Sequence, residues 1–337
     1  MKKYLILTLL LIAALTCVLT SCNNSEVTTT TSTTTDNTPS TAEEVRIIAL
    51  KGPTGMGLAN VLNDAKNNPD SRYNCQVLAG PDLVKAEILL DNYDIAALPT
   101  NVAAALYNTK KADFQIAAVN TLGVLYVVEN GTTVTDIQSL KGKTIHATGK
   151  GSTPEYILRY VLEQNGINPD TDVTLDYSYT EHAELARYVK TGMVDIAVLP
   201  EPNVTSAIMG ESSARVALNL TEEWGKISDT NVMQGCIVVR RKFAEQYPEE
   251  LAEFLDAYRA SIEYVNQNPE NASEIIANLG IIPQAALAKA AIGRCNIVYV
   301  DGQSMKTSLT AFFTVLYNAD PSSIGGKVPD DNLYYQK

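Results

Sequence analysis

Tyr93–Leu106, YDIAALPTNVAAAL, returns about a hundred residues later as Val194–Ile208, VDIAVLPEPNVTSAI, with one residue inserted. Each copy reads as an aspartate, a short apolar strand, Leu-Pro, a polar helix start, and a helix carrying Asn-Val. A second landmark precedes each copy. Ile47–Leu62, IIALKGPTGMGLANVL, is a strand, a glycine-punctuated turn and a helix, and Lys143–Leu162, KTIHATGKGSTPEYILRYVL, repeats that order. In the latter Thr153 suits a cap position and Pro154 a first turn, where a missing N–H costs nothing. Two landmarks in the same order at a similar interval predict two similar α/β lobes.

The first lobe is expected to carry strands near 46–50, 74–79, 94–98 and 114–119, with helices near 56–68, 81–90 and 100–109. Strands near 143–148, 172–178, 194–199 and 215–219 belong to the second. Helices near 241–267, 269–279, 283–293 and 303–318 would complete the first lobe. Such alternation predicts mainly parallel sheets covered by helices. The extended apolar segments Ala117–Gly131 and Asn231–Arg241 flank the second lobe, and both read as strands that start in one lobe and finish in the other. Ligands collect at the carboxyl ends of such strands. Here those ends are Lys51–Gly57, Pro99–Asn101, Gly149–Pro154 and Pro200–Asn203. The glycines Gly52, Gly55 and Gly57 fit neither the dinucleotide nor the P-loop spacing.

The amino terminus sets the compartment. Lys2 and Lys3 precede an uncharged run, Tyr4–Thr20, which closes with Leu19-Thr20-Ser21-Cys22. This resembles a lipoprotein signal, 1–22, with lipid on Cys22. Residues 23–44, rich in Thr and Ser, have little to bury and read as a disordered tether. With 38 acidic and 26 basic side chains the chain has a formal charge of −12, which disfavours nucleic acid and anionic surfaces. Cys75, Cys236 and Cys295 are scattered without metal spacing and read as small buried side chains, with one disulfide left open. His146 and His182 have no histidine or cysteine partner at ligand spacing, and no nucleophile elbow occurs. The residues point to no metal, no cofactor and no catalysis.

The motifs LKGPTGMGL, DIAALPTNVAAALYN, NTLGVLYVVENG, LKGKTIHATGKGSTPEYIL and DIAVLPEPNV, together with the leader, resemble the solute-binding lipoproteins of ABC importers, in the NMT1/THI5-like group. The resemblance spans Val45–Tyr335. It implies an α/β, two-lobed type II periplasmic-binding fold with two crossover strands, lobe I at 45–130 plus 232–337 and lobe II at 131–231. It also implies a monomer held outside the cytoplasm by its lipid, whose partners are a small solute and the permease and ATPase subunits. A hinge is expected at Asn120–Tyr126 and Asn231–Cys236.

The site residues follow from the same resemblance. Thr54, Gly55 and Met56 would supply backbone donors and an apolar wall, and Thr100 and Asn101 side-chain hydrogen bonds. Ser152 and Thr153 face them from the other lobe, with Glu201 and Asn203 at the second Leu-Pro edge. Asn120 and Gln234 lie on the crossovers. Lys51 and Lys150 are the cations beside the loops, and Trp224, Tyr126 and Tyr156 the aromatic candidates. A small organic solute with one polar or anionic end is expected. Two other readings stand beside this one: a menaquinone-pathway enzyme of the same fold, which the leader opposes, and a ligand-sensing lipoprotein without transport.

Overall fold

A computed structural model describes residues 42–210 and 212–336; the signal, Cys22 and most of the expected tether lie outside them. Ala42, at the end of that tether, is already buried, and its N–H donates to Glu250 at 3.2 Å.

The chain first alternates strand and helix. β1 (Val45–Leu50) leads through α1 (Pro53–Met56) and α2 (Ala59–Asn67) to β2 (Tyr73–Leu78), α3 (Pro81–Leu89), β3 (Ile95–Pro99), α4 (Thr100–Asn108) and β4 (Phe114–Leu122). A second series follows: β5 (Leu125–Asn130), β6 (Thr144–His146), α5 (Thr153–Gln164), β7 (Thr174–Asp176), α6 (His182–Lys190), β8 (Ile196–Pro200), α7 (Asn203–Ile208), β9 (Ala214–Asn219) and α8 (Leu220–Gly225). The return comprises β10 (Met233–Arg240), α9 (Arg241–Gln246), α10 (Pro248–Gln267), α11 (Pro269–Asn278), α12 (Ala285–Ile292), β11 (Ile297–Val300) and α13 (Gly302–Ala319). The helix expected over 241–267 is broken at Tyr247, whose φ of −132° and ψ of 55° are not helical. Pro248 causes the break, since proline disfavours a helical residue before it and brings no N–H.

The strands form two sheets. One is six-stranded, in the order β11-β4-β10-β3-β1-β2, and the other five-stranded, β7-β6-β8-β5-β9. Both are mixed: four strands of each run in one direction, and the others oppose them. β10 runs antiparallel to both β3 and β4, and β5 antiparallel to both β8 and β9. The reason is the crossing itself. A strand that arrives from the other lobe enters at the edge where the local strands end, so it must run against them.

β4 passes into β5 through Gly123 and Val124 alone. By its hydrogen bonds β5 belongs to the second sheet. The second crossing differs from the expectation for Asn231–Arg241. β10 pairs only in the six-stranded sheet, and the loop from Lys226 to Val232 makes the passage. β5 already has a neighbour on each side, so no ladder position beside it remains for a second continuous strand. β11, an edge strand beside β4, was not foreseen, because four residues between two helices give little periodicity to detect.

Burial follows the sheets. One face of the six-stranded sheet packs Met56, Leu62, Phe254, Tyr258 and Ile292 from α1, α2, α10 and α12. The other face continues into the second lobe, where Phe312, Phe313 and Leu316 of α13 share a core with Tyr156 and Trp224. Beneath β5 and β8, α6 and α7 bury Leu185, Val189 and Val204. Asp94, the aspartate of the first Leu-Pro unit, is buried between the guanidinium groups of Arg46 and Arg240, fastening β1, β3 and β10 at their far ends. Burial alone would raise its carboxyl; the bonds from Arg46 and Arg240 prevail and hold it below its ordinary value.

Gly55 shows how closely the first turn is packed. A Cβ there would lie 1.9 Å from the carbonyl oxygen of Leu50, a backbone atom that has no rotamer to yield. Gly55→Ala is expected to lower stability in urea unfolding by about 1–3 kcal/mol. Gly225→Ala, with open space around it, should change stability by less than about 0.5 kcal/mol. Equal effects would refute the close packing.

Candidate functional site

β4 rises to the carboxyl edge of one sheet, and two residues later β5 starts from the carboxyl edge of the other. So short a link makes the two edges abut, and the loops that the repeated landmarks single out lie along them.

On the first edge, Thr54, Asn120, Gln234 and Thr100 gather around the start of β10. Asn120 Nδ2 donates to the carbonyl of Thr54 at 3.1 Å, and the Thr121 hydroxyl donates to Asn120 Oδ1 at 2.9 Å. The Thr100 hydroxyl donates to the carbonyl of Met233. Gly235 keeps this group together, because a Cβ there would stand 2.6 Å from Asn120 Oδ1 and 2.8 Å from Thr54 Oγ1. Thr54, Met56, Thr100 and Asn120 are buried, while Asn101 and Gln234 are half-buried.

On the second edge the four expected residues divide. Thr153 opens α5 and is buried, and its Oγ1 has no hydrogen-bond partner among the described residues. Ser152 turns its hydroxyl back to the carbonyl of Gly149. Asn203 starts α7 and is half-buried. Glu201 is fully engaged within the protein. Its Oε1 accepts from Arg294 Nε and, at 2.9 Å, from the Thr205 hydroxyl, while Oε2 accepts from the Thr205 N–H at 3.1 Å.

Helix termini carry unpaired N–H groups and partial positive charge. At α7 that demand is met internally by the Glu201 carboxylate. At α5 a carboxylate from Glu155 takes the Gly151 N–H at 2.6 Å but leaves Thr153 free. Burial alone would raise the Glu155 carboxyl, but the bonds from the Gly151 N–H and from Arg159 prevail and hold it below its ordinary value.

The aromatic candidates are committed elsewhere. Trp224 lies between Tyr160, at 4.4 Å, and Phe312, at 5.9 Å. The Tyr126 hydroxyl donates to the carbonyl of Arg294 at 2.8 Å, and that of Tyr156 to Asp320 at 2.7 Å. Lys150 stands over the ring of Tyr177, 5.8 Å from its centre. Of two surface cavities, one of about 710 Å³ beside α5 and α13 meets only Tyr156 among the expected residues, and one of about 440 Å³ at the far end of α4 meets none. Cys75, Cys236 and Cys295 are free thiols, the last two buried. Sequence reasoning did not find Arg294, Thr205 or the Thr148–His182 contact. Each lies outside the repeated motifs or depends on a partner far along the chain.

The family model described as NMT1/THI5 like matches residues 103–272. The chain belongs to the NMT1/THI5-like family. Among solved structures, an ABC transporter protein from Parabacteroides distasonis is 27% identical, with 88% of this chain and 100% of that one covered and a TM-score of 0.76. The periplasmic aliphatic sulphonate binding protein SsuA of Escherichia coli is 18% identical over 88% of this chain and 93% of its own, with a TM-score of 0.69. The periplasmic nitrate-binding protein NrtA of Synechocystis is 14% identical, covers 87% of each chain and has a TM-score of 0.58. The likeness to the last two is one of fold, the two-lobed type II periplasmic-binding architecture. No curated protein matches the chain. In this NMT1/THI5-like chain the sheet edges therefore meet as they do in that architecture.

Against Thr148, two residues past β6, lies His182 Nδ1. Burial pushes the His182 imidazole below its ordinary value. The unfolded chain then takes up a proton near pH 6.5 that the folded chain resists, so stability falls as pH drops below about 6.5. His182→Gln should flatten that part of the decline in urea midpoints measured across pH. An unchanged slope would show that His182 is not its source.

Proposed function

We propose that the chain is the extracytoplasmic solute-binding component of an ABC importer, tethered by lipid on Cys22, which captures a small organic solute between its lobes. The observation that carries this is the meeting of both carboxyl edges across Gly123 and Val124, with the Thr153 hydroxyl buried at the start of α5 and without a hydrogen-bond partner among the described residues. Family membership and the likeness to transporter and binding proteins support a role in binding rather than catalysis.

The expected ligand contacts divide by availability. Thr153, Asn101 in the first turn of α4, the α1 turn with Thr54 and Gly55, and Gln234 and Asn203 remain the candidate ligand surface. Thr100, Asn120, Ser152 and Glu201 already hold protein partners, and they reach solute only if those bonds exchange. Arg294 is spent on Glu201, which leaves no free guanidinium assigned to the site for bidentate anion binding. Helix N-termini and Lys51 and Lys150 favour a polar or anionic end, whereas the Met56 thioether is wholly buried in the core and forms no wall for the solute.

A thermal-shift screen over sulfonates, pyrimidines, flavins, amino acids and inorganic anions tests this directly. A true ligand at 100 times its dissociation constant should stabilise the protein by about 2.7 kcal/mol. Thr153→Val should weaken that ligand by roughly 0.5–1.5 kcal/mol if the hydroxyl meets it. Stabilisation by inorganic anions alone would remove the organic body from the proposal.

The anchor has its own test. Cys22→Ser should abolish lipid labelling and free the protein from membranes. A variant that still sediments with membranes after a high-salt wash would refute lipid anchoring.

A further inference from the structure

Arg294 follows α12, on the lobe of the six-stranded sheet, yet its side chain ends on the other lobe. Its Nε donates to Glu201 Oε1 and one terminal nitrogen to Thr205 Oγ1, while the same nitrogen holds the carbonyl of Ala290 at 3.1 Å within its own helix. The Glu201 side chain is completely buried, whereas that of Arg294 retains 30% exposure. The backbone joins the same tie, since Tyr126 of β5 donates to the Arg294 carbonyl at 2.8 Å. Two residues on, Asn296 accepts the N–H of Leu122 at 3.1 Å and donates from Nδ2 to the carbonyl of Gly123. The segment 294–296 thus grips both sides of the crossover, the arginine on α7 and the asparagine on the link.

We propose that Arg294 is a positioning residue for solute capture: it sets the angle between the lobes by clasping Glu201 and Thr205, and it does so without touching the solute. This rests on the reading of the chain as a hinged binding protein. A planar guanidinium with donors in a fixed fork suits the task, because it reaches a carboxylate and a hydroxyl in one orientation that an ammonium would not enforce. Any contact between the lobes biases their open and closed populations, and affinity scales with the competent fraction. The clasp is therefore a determinant of affinity in a place where a ligand-contact survey would not look.

The test measures lobe geometry directly and needs no solute. Leu90 and Met193, exposed residues on the first and second lobes, are replaced by p-acetylphenylalanine in the full chain and spin-labelled, and their separation is measured by pulsed electron–electron resonance. The unaltered clasp should give a single narrow distribution. Arg294→Met should broaden it and add a longer component. The pair Arg294→Met with Glu201→Gln should do the same while leaving no charge buried alone, so it guards against a single variant that fails to fold. Thr205→Val, which keeps both charges paired, should broaden it less. An unchanged distribution in a folded Arg294→Met or paired variant overturns the proposal. Failure of every compound in the ligand screen would count against the solute reading and leave this measurement intact.

Discussion

The structure depends on the shortness of one connection. Between the last residue of β4 and the first of β5 stand only Gly123 and Val124, and this link decides the sense of the strands beside it. β4 must end where β5 begins, so β5 opposes β8 and β9, and the return strand β10 opposes β3 and β4. Gly123 is required by its neighbours. A Cβ at that position would fall 2.2 Å from Thr221 Oγ1 and 3.1 Å from Cβ of Val232, on the second passage between the lobes. The two passages are thus packed against each other, and a change at one is felt at the other.

Much of the architecture was legible because parallel strands and their helices leave a strong pattern. The Leu-Pro units identify β3 and β8 and their following helices, and the glycine turns identify the ends of β1 and β6. What was not legible arises from sequence-distant partners. The strand sense of β10 depends on which lobe the chain has come from, and hydrophobic periodicity carries no record of direction. The break at Tyr247 is written in the sequence itself, in Pro248.

The site was legible in outline and less so in its chemistry. Loop positions follow from the strand ends, whereas the availability of each side chain depends on its bonds. Glu201 shows the difference. Its place after Leu-Pro makes it a natural candidate to meet a solute, yet Thr205 one turn on and Arg294 some ninety residues away occupy both of its oxygens. In consequence the α7 terminus is neutralised by the protein's own carboxylate, and the α5 terminus at Thr153 keeps the unmet hydrogen bond.

Trp224 is the sole tryptophan of the chain, and its indole is sandwiched by Tyr160 of the second lobe and Phe312 of the first. Its surroundings are made jointly by helices of the two lobes. Under the proposed hinged reading, rotation of one lobe against the other would alter the ring packing and the access of water to the indole. Trp224 would then be an intrinsic fluorophore at the seam, its emission colour and its quenching by iodide reporting lobe position with no label attached.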